Sequence, residues 1–338
     1  MNLGFGLLSA QLRPGETDWA TAYDETVRLA VEAERLGYSS VWTTEHHFVD
    51  DGYMPSLLVV SGALAAATQT IEIGTGVILA PLHDPIRLAE DAATVQLLSG
   101  GRLTLGLGLG WNPIEFEALG ADLHTRGKAM DEILDILPKA WTGEPFKHSG
   151  SVYDLPEVAV RPAPYASIPI VIGGSAEPAI RRAARLTQGV FANAPVDRFV
   201  EQVEWALDEL DQAGRNPEDF RFIHYSILYP ASSEDQGWDE IGQHVWNMSW
   251  KYGDMEPSAT RSGQVKYAPQ LSEADEKSLR WRSALVGPSD QIVEELRSIR
   301  DRIGVPIDFV ARSFFPTLEF DRQLEIMQRL AEEVGPHL

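Results

Sequence analysis

The sequence predicts an α/β protein folded as a (β/α)8 TIM barrel, with an insertion, or lid, after the seventh strand. Two observations carry that expectation. Eight short apolar runs alternate with amphipathic helical patterns almost to the end of the chain, which is the arithmetic of such a barrel. The second run leads straight into titratable residues, Glu45, His46 and His47, and α/β folds place their chemistry at the carboxyl ends of parallel strands. A doubly wound open sheet uses similar units, so the strand count is what separates the two.

In order along the chain, the strands are expected at 3–8, 40–44, 71–79, 102–107, 168–172, 189–192, 220–228 and 306–312. The helical patterns cover 20–36, 56–67, 85–98, 127–141, 177–186, 196–213, 289–303 and 320–333. Asp18 and Ser289 stand where helix N-caps belong, Pro85 fits a first turn, and Gly37 and Gly100 read as helix stops. Residues 146–167 are Pro-rich and irregular, and are expected to cross the barrel rim. The larger interruption, about 229–285, holds Trp238, Trp246, Trp250 and Trp281 with Tyr252 and Tyr267. That is four of the nine tryptophans, so it needs either a satellite core or a barrel mouth to cover. The whole chain, 1–338, is read as one domain carrying this insertion.

Composition narrows the function. At 44% hydrophobic and 23% charged, the chain has the make-up of a soluble globular protein. A net charge of −22 argues against nucleic acid and anionic membranes as partners, and requires a local positive site for any anionic ligand. The absence of cysteine removes disulfides, thiolate metal sites and thiol nucleophiles. With no signal-peptide pattern and no apolar run of spanning length, a cytoplasmic enzyme is expected.

Four segments carry chemistry. In 36–48, LGYSSVWTTEHHF, neighbouring side chains of an extended strand point to opposite sides. One histidine is therefore expected to face the barrel mouth and the other to pack in the loop; a pair of surface histidines is the competing reading. In 71–85, IEIGTGVILAPLHDP, Gly74 and Gly76 imply a bulge or a close approach of a ligand, with a packing kink as the alternative. In 98–111, LSGGRLTLGLGLGW, alternate glycines Gly106, Gly108 and Gly110 strip one edge of the strand, a groove suited to a planar cofactor. A dinucleotide site is disfavoured because the helix spacing and the acidic ribose partner are missing. In 168–182, IPIVIGGSAEPAIRR, a strand, Gly173-Gly174-Ser175 and a helix start form an anion site, with Arg126 of HTRGK as side-chain counterion or else a solvated helix-start arginine. A metal-dependent hydrolase would need more carboxylates and histidines at strand ends than Glu45, His46, His224 and Asp308 supply, and no metal site is expected.

The blocks ERLGYSSVWTTEHHF, GTGVILAPLHDPIRLAED and SGGRLTLGLGLGW, in this order and spacing together with the GGS turn, resemble the bacterial luciferase-like flavin monooxygenase superfamily over nearly the whole chain. The resemblance implies a reduced flavin-type cofactor at the carboxyl face and, commonly, a homodimer. It implies His46 as the active-site histidine, with Glu45 tuning it, and a non-prolyl cis peptide at Gly76-Val77 behind the flavin ring. The ring is expected beside Gly108, Leu109 and Trp111. The family's reactive cysteine is replaced by Gly108 and its phosphate-binding arginine by Leu109, which argues against light emission and leaves the phosphate to the GGS turn and Arg126. The leading expectation is a monooxygenase using reduced FMN from a separate reductase, and oxygen, on a small apolar substrate. GLGLGW is also similar to members using the deazaflavin F420, so F420-dependent hydride transfer without oxygen stands as the alternative, and a non-catalytic flavin-binding protein or subunit as a third.

Overall fold

The apolar runs pair into a closed parallel ring in the computed structural model, which describes residues 1–280 and 284–338. The barrel strands are β1 (Asn2–Leu8), β2 (Ser40–Thr43), β3 (Glu72–Thr75), β4 (Leu103–Gly108), β5 (Ile170–Gly173), β6 (Gly189–Ala192), β7 (Arg221–Pro230) and β8 (Ile307–Arg312). Each pairs in parallel with the next, and β8 returns to β1. Continuous burial along these strands is what a parallel sheet covered on both faces requires. The helices are α1 (Trp19–Arg35), α2 (Leu57–Ala67), α3 (Pro85–Leu98), α4 (Pro113–Leu119), α5 (Arg126–Ala140), α6 (Glu177–Leu186), α7 (Val196–Gln212), α8 (Glu234–Ser258), α9 (Glu273–Arg280), α10 (Ser289–Ile303) and α11 (Phe320–Arg329).

Helix ends follow the sequence signals with one exception. The Asp18 side chain caps α1 by accepting from the Ala20 N–H, Asp84 caps α3 ahead of Pro85, and Gly37 and Gly100 take positive φ just past their helices. Ser289 is not a cap. It begins α10 itself, after Pro288, and its hydroxyl is turned to Glu333.

The 146–167 crossing contains an antiparallel hairpin, Phe146–Ser149 with Asp154–Val158. Its strands are short and largely polar, so no alternation announces it. The Glu132 carboxylate holds the turn, accepting from the N–H groups of Ser151, Val152 and Tyr153.

The interior of the barrel is filled by Leu7, Trp42, Val171, Phe191, Ile223 and Val310. Trp42, Phe191 and Tyr225 stack in sequence at 4.5 Å ring spacing. The amino end is closed by Arg221, which pairs with Asp308 at 2.8 Å and Glu72 at 3.0 Å. The carboxyl end is where such barrels take a ligand. Over it lies the insertion: α8, α9 and a further parallel strand, Ala284–Gly287, which extends the far half of β7. Trp281 lies outside the described residues.

Candidate active site

Side-chain alternation past the end of β2 decides the histidine pair. Trp42 faces the barrel interior, and Thr44 and His46 continue on that side, while Glu45 and His47 take the other. The His46 ring is 4% exposed and lies edge-on to Tyr53 at 4.9 Å, Tyr252 of α8 at 5.4 Å and Trp111 at 6.1 Å between ring centres.

Its carboxylate partner is Glu115 of α4, whose Oε1 sits 3.0 Å from His46 Nδ1 and also accepts the His47 backbone N–H at 2.9 Å. Glu115 is fully buried, and as an acceptor it takes the proton of Nδ1, leaving Nε2 with no hydrogen-bond partner among the described residues. Nothing local in the sequence marks Glu115, 69 residues from its partner.

Glu45 was expected to tune His46; the structure assigns it elsewhere. Its carboxylate lies 3.1 Å from His47 Nε2 and 3.0 Å from His83 Nε2, and accepts the Leu79 N–H at 2.5 Å. Burial alone would raise its pKa, but the hydrogen bonds from His47 and His83 outweigh it and hold the carboxyl at about 2. Glu45 thus clamps the exit of β3 to the exit of β2. The same contact holds His83 protonated above its ordinary value, against the effect of its burial.

The glycines of β4 also have a different use from the one expected. A Cβ at Gly106 would stand 1.9 Å from the Thr75 carbonyl oxygen, and one at Gly108 would stand 2.4 Å from Val77. A Cβ at Gly173 would meet Val77 at 2.6 Å. The stripped edge therefore receives the bulge at 75–77 rather than a ring, and Val77 itself becomes the surface at the mouth. The Gly76–Val77 peptide is cis, as is Gly6–Leu7. Leu109 packs into the core, whereas Trp111 is half exposed at the rim and stacks on Tyr252 at 6.3 Å.

At the other side of the mouth, β5 ends in Gly173, and Gly174, Ser175 and Ala176 lead into α6. That helix has no side-chain cap, so its first N–H groups are available to an anion. Gln202 steadies the turn by donating to the Ser175 carbonyl at 3.1 Å. Arg126 opens α5, donates to the Leu123 carbonyl at 2.5 Å and makes no ion pair among the described residues. Arg182 of α6 also reaches this seam: its Nη2 is 3.8 Å from where a Cβ of Gly127 would lie.

His224 and Asp308 are not part of the mouth. His224 Nε2 donates to the Ala194 carbonyl, 2.9 Å away, among Phe199 and Phe309, and burial lowers its pKa. Asp308 belongs to the plug at the amino end. No group of three or more metal-ligating side chains occurs among the described residues.

The family model for luciferase-like monooxygenases matches residues 1–305. The chain belongs to this family. Luciferase-like monooxygenases and their relatives are oxidoreductases, and the chain is an enzyme of that general kind. It is 24% identical over 325 residues to the oxygenase component of flavin-dependent trigonelline monooxygenase from Acinetobacter baylyi, covering 93% of this chain and 89% of that one. It is 30% identical over 205 residues to F420-dependent glucose-6-phosphate dehydrogenase from Microbacterium testaceum, covering 58% and 61%. The fold matches that of a Streptomyces bottropensis monooxygenase with a TM-score of 0.84 at 24% identity, over 100% of this chain and 99% of that one. No helix among the described residues is long and apolar enough to cross a membrane.

Proposed function

We propose that this chain is the oxygenase of a two-component flavin monooxygenase, taking reduced FMN from a separate reductase and oxygenating a small organic substrate. The observation that carries the reading is the uncapped start of α6 opening on the same face as His46 and Val77. It supplies an anion site, a ring surface and a titratable group within one mouth. The residues present fit FMN: the N–H groups at 174–177 with Arg126 or Arg182 for the phosphate, Val77 and the rim Trp111 for the ring. Bound there, the reduced flavin supplies electrons to oxygen.

The protein's own work is then to orient, to exclude water and to handle a proton. Tyr53, Tyr252 and Trp111 wall His46 off from bulk solvent. Glu115 holds the His46 ring so that Nε2 takes or gives a proton at the reacting centre. The trigonelline enzyme, whose name marks it as an oxygenase component, spans nearly the full chain and supports oxygen use. The F420-dependent relative aligns over a shorter stretch and supports hydride transfer without oxygen as the second reading.

Mixing the protein and reduced FMN with air-saturated buffer tests the proposal. Flavin reoxidation is expected to depend on protein concentration and to change in His46→Ala. Reoxidation identical to that of free flavin would overturn oxygen use.

The enzyme is further proposed to work as a homodimer. Val59, Ala63 and Ala66 form an exposed apolar face of α2, and Leu98 of α3 lies beside it at Gly62. Light scattering of Val59→Glu is expected to show a monomer.

A further inference from the structure

Arginines in the interior of this protein are met by acids or carbonyls. Arg221 has Glu72 and Asp308, Arg102 has the carbonyls of Ala65, Thr68, Ile71 and Ser99, and Arg215 has those of Ala184 and Thr187. Arg312 is different. It ends β8 and points into the mouth, its Nε has no hydrogen-bond partner, and it makes no ion pair among the described residues.

Around it stand Tyr53, Tyr225 and Tyr252. Burial raises the pKa of Tyr225 to about 12 and drives that of Tyr53 well above its ordinary value, so both remain neutral and leave the positive charge uncompensated. A buried, acid-free cation at this position is costly unless a ligand brings the acid.

Beside the guanidinium is a cavity of about 160 Å³ between α8 and the mouth, walled by Trp238, Val245, Met248, Tyr252 and Leu279. It is smaller than the ~300 Å³ that admits a drug-sized ligand, so it suits a single ring. Tyr252 is shared between this cavity and the cluster around His46, so the two adjoin across one ring.

We propose that this cavity takes a substrate with one small apolar ring and one acidic group, the Arg312 guanidinium clamping the acid. The proposal rests on the flavin reading above for its chemistry, but it is tested by binding alone.

Benzoate and its neutral isostere benzamide are titrated into the protein, with and without saturating FMN, following tryptophan fluorescence; FMN binding is measured separately on each variant. Wild type is expected to prefer benzoate by about ten- to a hundredfold, the scale of a charged hydrogen bond in a buried site. Arg312→Met should abolish that preference with FMN affinity unchanged, and Arg312→Lys should retain part of it. Met248→Trp, which fills the cavity and keeps the guanidinium, should abolish binding of both probes. Equal binding of the two probes, no binding of either, a preference surviving Arg312→Met, or loss of FMN rather than of benzoate in Arg312→Met would each overturn the assignment. Loss of FMN binding in the wild type would instead sink the flavin reading and leave this result standing.

Discussion

His46 and Glu115 form the unit on which the proposed chemistry turns. With Nδ1 held by a buried carboxylate, substitution of the histidine removes proton handling, and of the glutamate only its orientation. His46→Ala is expected to lower turnover by roughly 10²–10⁴-fold, the range for a positioned acid–base group. Glu115→Gln should cost less in turnover and shift the pH profile, since the amide does not enforce the same tautomer. An unchanged pH profile in Glu115→Gln would refute the orienting role. A second residue-scale test uses the Glu45 clamp. His83 has its pKa raised in the folded state by Glu45, so its contribution to stability is fully present below its unfolded value of about 6.5. That contribution is lost as pH rises through the folded value. The urea midpoints of wild type and His83→Gln should therefore differ most at low pH and converge towards alkaline pH. The alternation that sends 44 and 46 one way and 45 and 47 the other was legible in the sequence. Glu115 and Arg312 were not, because each reaches the mouth from a distant element and only the closed barrel makes them neighbours of His46 and Tyr252.

At the level of elements, two devices shape the mouth. The first is the fit of β4 against the bulge at 75–77. Gly106→Ala would drive a methyl group into the Thr75 carbonyl, and a loss of more than about 2 kcal/mol in denaturant unfolding is expected. The alternate glycines were visible from the sequence, but what fills them was not, because a missing side chain looks the same whether backbone or ligand takes the space. The second device is the anchor of the insertion. Lys251 of α8, buried, bonds Asp50 at 2.7 Å and the Lys266 carbonyl at 2.6 Å, while Arg261 bridges Asp50 and Asp254. Met255 and Tyr252 pack on Val49 and Tyr53 beside it. The insertion is therefore both a satellite core and a cover. Lys251→Ala leaves buried Asp51 without a cation and Asp50 with Arg261 alone, and is expected to destabilise the protein by about 3–5 kcal/mol. A change under 1 kcal/mol would mean the network does not hold the cover in place.

For the molecule as a whole, the barrel was readable because its strands are continuous apolar runs and its helices carry a 3.6-residue period, two patterns that do not mimic each other over this length. The hairpin at 146–158 and the strand Ala284–Gly287 escaped because neither shows a hydrophobic period of its own. The folded chain is plugged by charge at one end and open at the other, and its acidic surface leaves anion recognition to a few local cations at the open end. On the function proposed, this open end is a reduced-FMN site. An anaerobic titration with reduced FMN and with reduced F420, followed by protein fluorescence, tests it most directly. Saturable binding of reduced FMN, tighter than that of F420, is the predicted result; saturation by F420 with none by reduced FMN would contradict it.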